Sequence, residues 1–165
     1  MAESGCLRNE NVLNLNVNGI ILGQRRPVKL LVNRGGAGAL DAITAAESGT
    51  IFLVPALTSG TQTIALPACA DAVGCTYTFI LTATAAQIFK VEANASEKIV
   101  ALKPKGDGDN TAAGSTTYDS IGFKAAAVIG SSFKLVCMSS TAATAWYAHD
   151  VIDGLAANVG SIDLA

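Results

Sequence analysis

His149 is the only histidine in the 165-residue chain, so a Ser-His, Cys-His or multi-histidine metal centre would have to be built around it. It stands beside Asp150, just after the Trp146-Tyr147 run, where a strand end or an exposed turn accounts for it. No Gly-x-Ser-x-Gly elbow accompanies it. Cysteines fall at 6, 69, 75 and 137, without the Cys-x-x-Cys pairing of zinc or redox sites. Cys69 and Cys75 bracket a short loop and could meet across it, but the reading favoured is of free thiols acting as small hydrophobes. Asp107-Gly-Asp-Asn110 opens like a calcium loop, yet Thr111-Ala112 follow where the next carboxylate and the glycine belong, and the closing Glu is missing. Gly36-Ala-Gly38 has Asp41 where a dinucleotide loop needs its third glycine. No Gly-Lys-Ser/Thr triplet marks a phosphate loop. With every constellation incomplete, the sequence predicts a protein that is not an enzyme and uses no cofactor or metal.

Something must therefore hold these residues for a purpose other than chemistry, and composition indicates what kind. Half the residues are hydrophobic and 15% are charged, with a mean hydropathy of +0.42, so much of the surface is expected to be covered by other subunits. The chain is acidic overall, with spread aromatics, which argues against a nucleic-acid partner. No apolar run reaches the roughly 18 to 20 residues of a membrane-spanning helix, so no membrane partner is expected. The opening residues lack a basic start followed by an apolar core, which predicts a chain made and kept in a cytoplasm. Charge is divided unevenly: residues 1–34 carry Arg8, Arg25, Arg26, Lys29 and Arg34 against Glu3 and Glu10, while six lysines meet eleven carboxylates in the remainder. A basic leading segment suits docking on an acidic surface.

Leu13, Leu15 and Val17 alternate with Asn14, Asn16 and Asn18, the period-two signal of a half-buried strand over 12–20. Gly23-Gln-Arg-Arg-Pro27 reads as a turn and Val28–Val32 as a resumed extended run. The glycines of 33–38 mark a boundary near residue 36, giving an arm over 1–35 and a domain over 36–165. Short apolar segments follow, punctuated by Gly, Pro, Ser or Asn: 49–55, 61–67, 74–81, 87–92, 98–102, 120–124, 132–137 and 145–148. That rhythm predicts an all-β domain, a β-sandwich or jelly-roll-like fold, with an N-terminal extended arm. Alanine-rich stretches at 39–47 and 152–157 could be helical. The polar interval 104–115 reads as an exposed loop.

Five phrases in sequence carry a resemblance: Ile43-Thr-Ala-Ala-Glu-Ser-Gly-Thr-Ile-Phe-Leu53, Thr63-Ile-Ala-Leu-Pro67, Gly74-Cys-Thr-Tyr-Thr-Phe79, Ile129-Gly-Ser-Ser-Phe-Lys-Leu-Val136 and Ala145-Trp-Tyr-Ala148. Their order and spacing over about two thirds of the chain resemble the β-sandwich structural proteins of phage virions, the head decoration, cement and fibre-like group. Tyr77, Phe79 and Trp146 then read as fillers between two sheets. The resemblance implies a capsid decoration or cement protein on the outer head surface, binding the major capsid protein; the charge-poor, alanine-rich β surface predicts a homo-oligomer, and the three-fold positions of icosahedral shells make it a homotrimer. The resemblance transfers no catalytic residue. The capsid- or subunit-binding residues expected are Leu13, Leu15 and Val17 as an apolar strand face, with Arg25, Arg26, Lys29 and Arg34 at its rim. The alternative is a fibre or spike subunit that holds a host glycan on an aromatic shelf of Tyr118, Trp146 and Tyr147.

Overall fold

The computed structural model describes residues 15–17, 20–22, 26–32, 36–57, 60–101, 117–140, 145–152 and 162–164, and the fold is all-β. In chain order the strands are β1 (Leu15–Val17), β2 (Ile20–Leu22), β3 (Val28–Leu30), β4 (Gly38–Ala39), β5 (Ile51–Val54), β6 (Gln62–Ala65), β7 (Thr76–Leu81), β8 (Phe89–Glu92), β9 (Ile99–Val100), β10 (Thr117–Tyr118), β11 (Ser120–Phe123), β12 (Ser132–Cys137), β13 (Trp146–Ile152) and β14 (Ile162–Leu164). They form a seven-stranded sheet in the order β10-β9-β13-β12-β7-β5-β3 and a five-stranded sheet in the order β14-β11-β8-β6-β4. Strands β1 and β2 pair antiparallel as a sheet of their own.

From β3 to β8 the chain alternates between the two large sheets, and each return lays a strand parallel to the one before. Val28, Ile51 and Thr78 thus lie side by side in one sheet, and Gly38, Gln62 and Phe89 in the other. Strands β11 and β12 then run antiparallel to β8 and β7 and close one side of this winding. A jelly roll pairs its strands antiparallel. The parallel half of this molecule departs from that expectation, although the all-β class stands.

Burial along β5, β7 and β12 alternates strictly, the side chains at even positions of β5 and odd positions of β7 and β12 being buried. Those side chains meet the five-stranded sheet across a single core. All five phenylalanines lie in it, and four make a closed circuit: Phe79 and Phe133 of one sheet stack at 5.0 Å, Phe123 and Phe89 of the other at 6.2 Å. Phe123–Phe133 at 5.1 Å and Phe79–Phe89 at 6.0 Å bridge the sheets. Each ring so buried contributes about 1.5–3 kcal/mol by removal from water, and the offset contacts add further attraction. Tyr77 and Trp146 extend the cluster at 5.7 Å, so the fillers anticipated from sequence are core residues. Gly122 makes the close approach of β11 to β8 possible, because a Cβ there would sit 1.8 Å from the carbonyl oxygen of Phe89.

Several local expectations change. The run read as one strand over 12–20 contains a hairpin, with Val17 opposite Ile20. The extended run at 28–32, assigned to the arm, contributes β3 to the seven-stranded sheet, so the sheet begins before the boundary drawn near residue 36. The alanine-rich stretch 39–47 is a strand end at Ala39, an extended segment and a 3-10 turn over Ala45–Glu47, with Thr44 and Glu47 forming a capping box. Ile152 closes β13 and is not helical; 153–157 and the loop 104–115 lie outside the described residues. A short helix, α1 (Cys69–Ala72), fills the loop between Cys69 and Cys75.

Candidate docking face

Strands β3, β5, β7, β12 and β13 set their non-core side chains on the outer face of the seven-stranded sheet, and the register orders them into rows. Leu30, Leu53, Ile80, Ser132 and Ile152 form one row; Val28, Ile51, Thr78, Lys134 and His149 form the next. A bulge in β13 lets Ile152 rejoin the first row, with Asp150 at φ 50°. The face is therefore aliphatic over β3 and β5 and at Ile80 of β7, and mixed beyond, where Thr78, Ser132, Lys134 and His149 surround Ile152. Val28, Leu30 and Ile152 are each about 60% exposed, and Ile51, Leu53 and Ile80 are part-buried. Parallel strands are ordinarily covered on both faces, and a contiguous aliphatic patch of this kind marks an interaction surface.

The patch reaches the sheet edge at β3. The Leu31 amide donates to Leu53 and the Pro27 carbonyl accepts from the Ile51 amide, so the odd-numbered residues of this segment direct their backbone groups to β5. By the alternation of a strand, the N–H and C=O groups of Val28 and Leu30 face away from the sheet. Lys29 takes the inner position. It lies beside Phe52 in register, with Nζ 5.8 Å from that ring's centroid and 2.7 Å from Glu47 Oε1. Glu47 also accepts from the Thr44 amide at 2.9 Å and the Thr44 hydroxyl at 3.1 Å. Burial pushes the Glu47 carboxyl up, but the hydrogen bonds from Lys29 and Thr44 outweigh it, and the net shift is downward. Beside this edge, Lys29, Leu30, Leu31, Val32, Leu40 and Asp41 line a shallow cleft of about 200 Å³.

Cys69, Cys75 and Cys137 are free thiols. The Cys69 amide donates to the buried Glu97 Oε1 at 2.8 Å. Hydrogen bonding to Glu97, then burial, push the Cys69 thiol up to about 11, and burial raises Cys137. Both are neutral thiols near pH 7 and correspondingly weak nucleophiles. His149 lies within β13, not after it, with Nδ1 3.2 Å from Asp150 Oδ2 on a half-exposed surface. Among the described residues no group of three or more His, Cys, Asp or Glu side chains is arranged to hold a metal ion, and no helix is long and apolar enough to cross a membrane.

Of the residues picked out by sequence, Leu13, Arg25 and Arg34 lie outside the described residues, and Leu15 and Val17 are in β1. Arg26 is exposed at the approach to β3. Lys29 is already paired with Glu47, so it meets any partner as half of an ion pair. The aromatic shelf does not assemble: Trp146 is fully buried, and Tyr118 falls in the row of Ile99 and Trp146 while Tyr147 falls in that of Val100 and Thr117, on the other face. Ile51, Leu53, Ile80 and Ile152 were not singled out. Their signal was the apolar residue at both alternating positions of Ile51–Val54 and at 80–81, where a half-exposed strand would carry polar residues. Comparison with protein families, curated proteins and solved structures found no match to this chain.

Proposed function

We propose that this protein is a non-enzymatic structural subunit of a phage virion that decorates and cements the head by binding the major capsid protein. The observation that carries this reading is the aliphatic outer face of the seven-stranded sheet, where exposed Val28 and Leu30 adjoin part-buried Ile51, Leu53 and Ile80, with exposed Ile152 beyond Ser132 in the same row, and no described element lies over it. A two-sheet body that presents exposed aliphatic residues on one outer face fits a protein that works by contact. Repeated at many sites of a shell, a few kcal/mol per contact resists expansion of the whole. The basic leading segment, including Arg25, Arg26 and Arg34, orients the approach to an acidic shell more than it holds it there. The burial of Trp146 and the division of Tyr118 from Tyr147 count against the glycan-binding fibre reading.

The test is co-sedimentation of the full chain with empty phage heads. Ile80→Lys combined with Ile152→Lys keeps the core intact and places two charges on the outer face. Head binding is expected to weaken at least about tenfold, the equivalent of roughly 1.4 kcal/mol. Binding equal to wild type from the folded variant contradicts the proposal.

A further inference from the structure

Strand β3 differs from the other edge strands of the two large sheets. Strands β4 and β10 are two residues long, a short edge that offers little to pair with, and β14, three residues long like β3, buries Ile162 and packs Leu164 against the core. On β3, Val28 and Leu30 combine exposed aliphatic side chains with backbone groups that face off the sheet. It is also the first strand of the parallel winding, and stacked strands of this kind need a cap. Lys29 blocks the core layer beyond Phe52 but leaves the backbone edge open.

An occupant of that edge must be extended and apolar at alternating positions, and it must not add positive charge beside Arg26 and Lys29. Residues 11–22 meet all three conditions: no charged residue occurs among them, and Leu13, Leu15 and Val17 alternate with asparagines. Their strands β1 and β2 pair only with each other among the described residues. A lone two-stranded ribbon is marginal in water. Among the described residues β3 pairs with β5 alone, although only residues 23–27 separate Leu22 from Val28.

We infer that the β1–β2 hairpin of one copy docks on the β3 edge of a second copy, so that the seven-stranded sheet continues from subunit to subunit. Donor and acceptor are different surfaces, so the contact is head-to-tail; a closed ring of a few copies satisfies every donor and acceptor, where an open filament leaves one of each unpaired at its ends. The inference rests on the reading of the leading segment as an anchor and narrows its partner to a neighbouring subunit.

The experiment uses the full chain without heads, so its result is independent of capsid binding. Light scattering across a concentration series is expected to show a closed homo-oligomer for the wild type. Leu30→Lys on the acceptor edge, and separately Leu15→Asp with Val17→Asp on the donor, are each expected to weaken association at least about tenfold. The Val28 and Leu30 amides are expected to exchange with deuterium more slowly in the wild type than in either variant. Mixing the two variants leaves one good donor and one good acceptor, so a mixed complex forms where neither variant associates alone. A monomeric wild type overturns the inference, including the case in which a protected β3 edge shows that the hairpin folds onto its own chain. Undiminished association of folded Leu30→Lys overturns it as well. Should the donor variant be unfolded, slow exchange at Val28 and Leu30 that is unaffected by diluting the wild type to monomer also overturns it.

Discussion

Lys29 lies 5.8 Å from the centroid of the Phe52 ring, so a charge stands where the next core residue of the winding would be. Its ammonium stands over the ring and pairs with Glu47, an arrangement that satisfies the charge while ending the core. An inward-pointing charge on an edge strand protects against uncontrolled edge pairing. Lys29→Ile is expected to convert the edge into a template and drive the protein beyond the proposed closed oligomer into large assemblies. Analytical ultracentrifugation reads this directly, and a variant of unchanged size would show that Lys29 does not guard the edge.

The same ion pair sets an acid limit. The folded-state value of the Glu47 carboxyl is lowered, so its contribution to stability is full above the ordinary carboxylate value of 4.5 and is lost as pH falls through the lower folded value. Both partners are partly exposed, which limits the contribution to under about 1 kcal/mol. Glu47→Gln is expected to flatten the fall in urea midpoint below pH 4.5 and to leave the midpoint near pH 7 within that range of wild type. An unchanged acid limb would assign it to other carboxylates.

The thiol at Cys69 sets the opposite limit. Because its folded value is raised from 9.0 to about 11, the neutral thiol's contribution is full below 9.0 and disappears as pH rises toward 11. Cys69→Ser is expected to reduce the alkaline loss of stability over that window. Near pH 7, Cys69 and Cys137 should resist thiol reagents until the protein unfolds, as mapped by mass spectrometry. Rapid labelling of either in folded protein would contradict their placement in the core.

Gly122 tests the packing of the five-stranded sheet. A Cβ there collides with backbone, which cannot retreat without parting β11 from β8. Gly122→Ala is expected to cost about 3 kcal/mol or to prevent folding. A thermal midpoint close to wild type would show that the two strands do not approach so closely.

Much of this fold was legible in the sequence, because strand content follows from alternation and punctuation. The eight segments from 49–55 to 145–148 each contain a strand, and Tyr77, Phe79 and Trp146 fill the core as their type and position suggested. The parallel winding was not legible. Its turns share little beyond aliphatic and aromatic residues, as in Phe52 beside Phe79, and strand direction leaves no local mark. The hairpin β1–β2 was missed although Asn18-Gly19, a favoured two-residue hairpin turn, stands between its strands, because the Leu-Asn alternation ran across it as one period. The docking face was half legible. Leu30 and Val28 were seen as an apolar run, but their alignment with Leu53, Ile80 and Ile152 depends on register between segments far apart in sequence.

Cementing a head requires this chain on the head's outer surface, in many regularly placed copies, with the β3, β5 and β7 side of the larger sheet turned toward capsid protein or a neighbouring subunit. Electron microscopy of the assembled virion measures this directly. Outer-surface density that fits the two-sheet body in that orientation is expected, with Leu30, Leu53 and Ile80 at an interface. Density for the chain only in a fibre or spike, or head density with that face turned to solvent, would contradict the proposal.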